Sequence, residues 1–126
     1  MHYTLTRPAA RRPLAALALL GALAAGCAPE TIDDHPCPPG GTSLTYESFG
    51  QEFLQTRCQT CHGAGGSERQ GAPSSFDFGS RESARRTRAR IFVRAAAGNT
   101  TMPPGPDDPP EAERAKLADW LACGAP

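Results

Sequence analysis

Cys58-Gln59-Thr60-Cys61-His62 is the stretch that decides the fold of this 126-residue chain. Two thiols separated by two residues, with an imidazole directly after the second, form the attachment signature of a c-type haem. The thiols bind the vinyl groups of the porphyrin as thioethers, and the histidine supplies a nitrogen ligand to the iron. The motif therefore predicts one covalent haem c, held by Cys58 and Cys61, with His62 as an axial iron ligand.

Two other kinds of site can contain a pair of cysteines at this spacing. A thioredoxin-like redox pair is expected in a βαβ context, which is not indicated in a chain with 13 glycines and 13 prolines. A structural zinc site needs a second pair of cysteine or histidine ligands, and no second pair occurs at ligand spacing. The pattern favours haem attachment over both alternatives.

A haem iron that transfers electrons needs a second axial ligand, and Met102 is the best candidate. His2 precedes the predicted cleavage site described below, and His35 lies in a segment rich in proline and glycine. Met102 lies in the sequence TTMPPG, residues 100–105, where the prolines lower the entropy lost in holding a thioether at the iron. The alternative is an exposed loop methionine without a ligand role.

The N-terminus has the pattern of a bacterial lipoprotein signal. A basic start precedes an apolar run over residues 14–25, which is shorter than the ~20 residues needed to span a bilayer. The run ends in Leu-Ala-Ala-Gly-Cys, residues 23–27, which resembles the lipobox whose cysteine is lipidated. We therefore expect a signal peptide over 1–26 and a lipid on Cys27. Ordinary signal cleavage, with an unmodified Cys27, is the alternative.

The charge balance argues against one class of partner. The whole chain has 13 basic and 13 acidic residues, and three of the basic residues lie in the predicted signal. The predicted mature part is therefore slightly acidic, which does not indicate a nucleic-acid-binding protein. Roughly 100 remaining residues are enough for one small domain.

The remaining cysteines and the composition predict how the mature chain is organised. Residues 27–43 are rich in proline, glycine and aspartate, so we expect a lipid-anchored flexible tether, followed by a folded domain over 44–126. Cys37 and Cys123 remain once the other cysteines are assigned. Because free thiols rarely persist outside the cytoplasm, a disulfide between them is expected, with two free thiols as the alternative.

The first helix is predicted over residues 46–57, with Thr45 as its N-cap. Apolar residues recur along it at helical spacing and form one face. Gly50 lies on this face, where it lowers helix propensity by about 1 kcal/mol relative to alanine. A second helix crossing closely over Gly50 would explain its presence.

The last helix carries the clearest boundary signals. Asp108 is a possible N-cap, Pro109 suits a first turn, and Glu111 completes a pattern similar to a capping box. The apolar stripe that follows includes Trp120, which we expect to pack on the first helix. Gly124 is a typical residue for the C-terminal end.

A middle helix is predicted over residues 81–97, with alanines, an isoleucine and a phenylalanine on one face. Arg86, Arg90 and Arg94 share the opposite face, which is either a solvated surface or a docking surface for an acidic redox partner or lipid phosphates. Arg88 falls among the apolar positions, so its stem could pack while its guanidinium reaches a haem propionate.

From residues 46 to 124 the chain resembles the class I, or monohaem, c-type cytochrome family. The resemblance rests on the motif at 58–62, the later Met102 followed by two prolines, and the final aromatic-bearing helix. It implies an all-α cytochrome c-like fold, with three to four helices around one covalent haem, and one-electron transfer as the activity. It also implies that Gly50 is the family's helix glycine and that the carbonyl of Pro73 accepts a hydrogen bond from the haem-ligating imidazole.

Together these features predict an exported bacterial lipoprotein, anchored to the inner or outer membrane and facing the periplasm or the cell exterior. We expect a carrier of single electrons between redox protein partners, with no catalytic residues. A haem-based sensor or a small peroxidase-like enzyme is an alternative, and it would need an exchangeable sixth position on the iron. A fixed haem subunit of a larger oxidoreductase complex is another.

Overall fold

The computed structural model describes residues 28–65, 68–106 and 108–126. Over these ranges the secondary structure is helical, without strands, so the predicted all-α class is confirmed. The four α-helices are α1 (Gln51–Arg57), α2 (Gln59–His62), α3 (Arg81–Ala95) and α4 (Glu111–Ala122). None of the helices in these ranges has both the length and the apolar character needed to cross a membrane.

A π-helical turn, Tyr46–Gly50, leads directly into α1, so the predicted helix over 46–57 exists but opens with wider turns. Thr45 is its N-cap, because the Thr45 hydroxyl accepts a hydrogen bond from the Ser48 amide at 3.1 Å. The Tyr46 amide donates to the carbonyl of Pro126 at 2.7 Å. The start of this helical stretch is therefore fixed to the end of the chain.

The π-helical turn before α1 and the C-terminal part of α4 cross in close contact at Gly50. A Cβ atom added to Gly50 would overlap Cζ2 of Trp120 and lie 2.7 Å from its Cη2. Trp120 is fully buried, and its ring also meets that of Phe49 edge-on, with centroids 6.1 Å apart. The absence of a side chain at Gly50 is therefore what allows Trp120 to pack on this helix, as the sequence indicated.

We expect Gly50→Ala to destabilise the protein by about 1–3 kcal/mol, because the indole has to move out of its packed position. This cost should exceed the ~1 kcal/mol gained in helix propensity. Urea unfolding followed by tryptophan fluorescence measures the difference. Gly65→Ala is the control, since a Cβ there meets no atom within 4 Å. Equal stability of the two variants would contradict the close crossing.

Helices α3 and α4 pack together and supply most of the core. Ser80 caps α3 by accepting a hydrogen bond from the Ser83 amide at 3.2 Å. The helix ends at Ala95, two residues before the predicted end, because Ala96 is extended, with φ −105° and ψ 159°, and Ala97 then has a left-handed φ of 52°. The largest fully buried side chains come from three helices: Leu54, Phe92, Leu117, Trp120 and Leu121.

The start of α4 differs from the prediction. Asp108 is not the N-cap: α4 begins at Glu111, with Pro110 in the capping position and no side-chain cap. The Asp108 carboxylate instead accepts a hydrogen bond from Arg114 at 3.1 Å. The C-terminal end follows the prediction, because Gly124 adopts the left-handed φ of 92° expected just after a helix.

The described part of the segment predicted to be a flexible tether packs against the domain instead. Ile32 lies against the core, and the Glu30 carbonyl accepts a hydrogen bond from the Asn99 side chain at 2.8 Å. The structure contains a disulfide between Cys37 and Cys123, with their Cα atoms 4.7 Å apart. These tertiary contacts outweigh the local composition, so the folded unit begins well before residue 44.

His35 joins this N-terminal segment to α4. Its Nε2 lies 3.0 Å from a carboxylate oxygen of Asp119, its Nδ1 lies 3.3 Å from one of Glu30, and its ring packs against Phe92. The hydrogen bond to Asp119 is the largest cause of a raised pKa for His35, burial opposes it, and Glu30 adds to it. The charged imidazole is therefore favoured in the folded protein.

A raised folded-state pKa makes this contribution to stability dependent on pH. It should be fully present below the unfolded value of about 6.5 and be lost as pH rises through the higher folded value. We expect His35→Gln to cost up to ~1 kcal/mol near pH 5.5 and little above pH 8. Melting temperatures across this range measure it. If the wild type gained stability relative to His35→Gln as pH rises, the assigned role of charged His35 would be contradicted.

Candidate functional site

One cavity is bounded by the junction of α1 and α2, by α3 and by the loop that follows α3. It brings together four of the residues singled out from the sequence: Cys58, His62, Pro73 and Met102. The complete lining is Arg57, Cys58, His62, Pro73, Phe76, Phe78, Arg90, Ile91, Arg94, Ala95, Met102 and Pro103. An imidazole, a thiol and a thioether therefore share one largely apolar cavity.

His62, the last residue of α2, is held in a defined orientation. Its Nδ1 lies 2.7 Å from the carbonyl oxygen of Phe76, and its ring stacks on Phe78 with centroids 4.5 Å apart. Because a carbonyl can only accept, Nδ1 must carry the hydrogen in the neutral ring. Nε2 then keeps the free lone pair that a metal requires.

The acceptor for His62 is not the one predicted. The sequence indicated the carbonyl of Pro73, but the structure gives this role to Phe76. The Pro73 carbonyl accepts hydrogen bonds from the Phe76 amide at 3.0 Å and from the Arg69 guanidinium at 2.9 Å. This turn places the Phe76 carbonyl beside the imidazole, and Pro73 contributes to the cavity wall.

The two motif cysteines are free thiols at the start of α2. Cys58 separates α1 from α2, and Cys61 lies within α2 and does not line the cavity. Burial, with a smaller effect from Cys61, raises the pKa of the Cys58 thiol to about 12. A dithiol redox centre needs a thiol with a lowered pKa, so this environment disfavours the thioredoxin-like alternative.

Met102 follows α3 and presents its thioether at the cavity. Its amide donates to the carbonyl of Arg94 at 2.9 Å, which fixes the loop against the end of α3. Its side chain is 39% exposed, and it is the exposed large hydrophobic residue of the described ranges. Met102 is therefore an accessible sulfur donor in the cavity lining.

The chemistry of this lining fits a haem. Cys58, just before α2, and Cys61, within α2, offer thiols, His62 offers a lone pair at Nε2, and Met102 offers a soft sulfur donor. Phe76, Phe78 and Ile91 give apolar walls suited to a porphyrin face.

The family comparison agrees with this geometry. The family model described as cytochrome c oxidase, cbb3-type, subunit III matches residues 48–121, more than half of the chain. The chain belongs to this c-type cytochrome family. The cytochrome therefore has the cytochrome c-like fold that the sequence predicted, and the family implies covalently bound haem c. No curated protein and no solved structure matches the chain.

The basic residues around the cytochrome's cavity differ from the sequence prediction. Arg88 does not line the cavity: its exposed side chain donates to the carbonyl of Arg85, one turn earlier, at 3.2 Å. Arg57, Arg90 and Arg94 line it instead. Arg90 and Arg94 belong to the arginine row that the sequence left open between a solvated and a docking surface. Arg90 directly precedes the apolar Ile91 and Arg94 follows it by one turn, and this spacing was the available signal for them.

Cys37 and Cys123 lie away from the cavity and join the N-terminal segment to the end of α4. Cys27, the predicted lipid site, and residues 1–26, the predicted signal, lie outside the described residues.

Proposed function

We propose that this cytochrome is a lipid-anchored carrier of single electrons between membrane-proximal or periplasmic redox proteins. The observation that carries the proposal is the shared cavity of His62 and Met102. A nitrogen and a thioether together can fill both axial positions of an iron, which favours electron transfer over binding of an exogenous ligand. When bound, the haem supplies an iron that takes up and releases one electron.

The residues of the chain have distinct roles in this proposal. Cys58 and Cys61 hold the cofactor covalently, and the Phe76 carbonyl orients His62 so that Nε2 is available to the iron. Phe76, Phe78 and Ile91 exclude water from the site. The guanidinium groups of Arg90 and Arg94 suit negatively charged carboxylates such as the propionates, whereas that of Arg57 already donates to the Glu113 carboxylate at 3.1 Å.

The lining also weighs against the enzymatic alternative. His62 is the one histidine, and no aspartate or glutamate occurs, among the described residues that line the cavity. A peroxidase-like reaction needs a general acid or base on the face opposite the proximal ligand. This composition supports a carrier.

Spectroscopy and potentiometry of the purified holoprotein test the carrier proposal. Both oxidation states should be low-spin, a redox titration should follow a one-electron curve, and the reduced protein should take up carbon monoxide slowly. A native protein that is high-spin and binds carbon monoxide freely would favour the sensor or enzyme alternative.

The description of the matching family supports a second candidate, a fixed haem subunit of an oxidase complex. Native electrophoresis of mildly solubilised membranes separates the two possibilities. A carrier should migrate near the mass of the single chain, whereas a fixed subunit should co-migrate with the other haem proteins of a large complex.

We expect Cys27→Ser to leave the protein unprocessed by the lipoprotein signal peptidase and to abolish labelling by a palmitate analogue. The described chain begins at Ala28, which lines a cleft together with Arg90 and Arg94, so an anchor on Cys27 would lie near the haem cavity. Cys37→Ser is the matched control and should keep its label. Labelling of the Cys27→Ser protein would contradict the anchor.

A further inference from the structure

Arg114 is a buried charge that neither the sequence motifs nor the proposed function explain. It lies in the first turns of α4 and is only 3% exposed. A cation near a helix N-terminus is disfavoured by the helix dipole, and burial of a charge is unfavourable unless it is well paired. The surroundings of its guanidinium therefore indicate what it does.

The Arg114 guanidinium donates hydrogen bonds to backbone carbonyls between the end of α3 and Met102. Its Nη1 donates to the carbonyl oxygens of Ala95 at 2.8 Å, Asn99 at 2.8 Å and Met102 at 3.1 Å. Its Nη2 donates to the Asp108 carboxylate at 3.1 Å. The three carbonyls belong to the end of α3 and to the loop after it, so a single side chain closes this loop against α4.

The peptide units on both sides of Met102 are held as a result. Its amide donates to the Arg94 carbonyl at 2.9 Å, and its carbonyl accepts from Arg114. The buried side chain of Asn99 reinforces the same loop, because it donates to the carbonyls of Phe92 and Glu30. With this backbone fixed, only the side-chain torsions of Met102 remain to be ordered when its sulfur binds a metal.

We infer that Arg114 is a positioning residue that presents the thioether of Met102 to the haem iron. The inference rests on the proposed role of Met102 as axial ligand. Arg114 does not touch the cofactor cavity itself and acts through the three carbonyls. Its loss should therefore weaken the iron–sulfur bond more than its effect on folding alone would explain.

The test compares Arg114→Met with Leu121→Ala, Arg114→Lys and Met102→Ala as holoproteins. Arg114→Met should weaken the sulfur-to-iron charge-transfer band and speed carbon monoxide uptake by roughly five- to tenfold, the size expected for losing one or two backbone hydrogen bonds. Leu121→Ala removes a fully buried side chain two turns further along α4. It should lower the melting temperature but leave the band and the uptake rate unchanged.

Arg114→Lys keeps the charge without the planar fork, and it should give an intermediate band. If Arg114→Met does not accumulate as a haem protein, Arg114→Lys serves as the test variant in its place. An unchanged band in Arg114→Lys and Arg114→Met, together with a lost band in Met102→Ala, would overturn the role of Arg114 alone. An unchanged band in Met102→Ala would overturn the proposed ligand itself. If Leu121→Ala and Arg114→Met changed the charge-transfer band and the carbon monoxide uptake rate equally, Arg114 would only stabilise the fold and would not position Met102.

Discussion

The double variant Cys58→Ala, Cys61→Ala is expected to lose all haem that survives denaturation. Each thiol supplies one thioether bond; Cys58 immediately precedes α2 and Cys61 lies within it beside His62, whereas Cys37 and Cys123 are joined in a disulfide. The loss should also destabilise the fold, because the apolar walls of the cavity would be left without a partner. Haem peroxidase staining after denaturing electrophoresis measures the covalent attachment.

The matched control removes the two cysteines that form the disulfide. Cys37→Ala, Cys123→Ala should keep the stain, although loss of this bridge should cost about 2–5 kcal/mol of stability. The two double variants thus separate attachment from stability. Covalent haem in the Cys58→Ala, Cys61→Ala protein, or its absence in the control, would contradict the assignment of the thiols.

Replacing Met102 with alanine is expected to change the redox properties most. A thioether is a soft, neutral donor that favours ferrous iron, so its loss should lower the reduction potential. The shift should be on the order of 100 mV or more, within the ~0.8 V range over which axial ligands set haem potentials. The coordination position on the iron that loses the Met102 sulfur should bind carbon monoxide and cyanide rapidly. Potentiometric titration and stopped-flow spectroscopy measure the two effects.

Met102→His is the informative companion variant. It should keep the iron six-coordinate and low-spin, while its potential falls below that of the wild type because imidazole replaces sulfur. A potential that is the same in the wild type, Met102→Ala and Met102→His would show that residue 102 is not a ligand.

Sequence reasoning was most reliable where a single residue type is chemically required. Gly50 under Trp120 and the N-cap of Thr45 each depend on what one side chain can or cannot do, so they are visible in the chain. The four-residue helix α2 was not anticipated, since it is too short for any periodicity to indicate it.

The contacts that sequence reasoning missed involve backbone carbonyls. Every residue has this group, so the sequence could not indicate that His62 uses Phe76 rather than Pro73, or that Arg114 gathers the loop of Met102. The misjudged tether has a related cause. The proline- and glycine-rich composition of residues 27–43 indicates only local backbone flexibility. The position of the segment is fixed by partners more than 60 residues away, including Asn99 and Cys123.

The hydrogen bond between Glu30 and Asn99 limits how far a lipidated domain could travel from its bilayer. Glu30 is only three positions after Cys27, and an extended chain spans at most about 3.6 Å per residue. With a lipid on Cys27, the domain would therefore lie within about a nanometre of the headgroups. Its collisions would be confined to two dimensions, and its partners would need to expose their own redox centres at the same membrane surface.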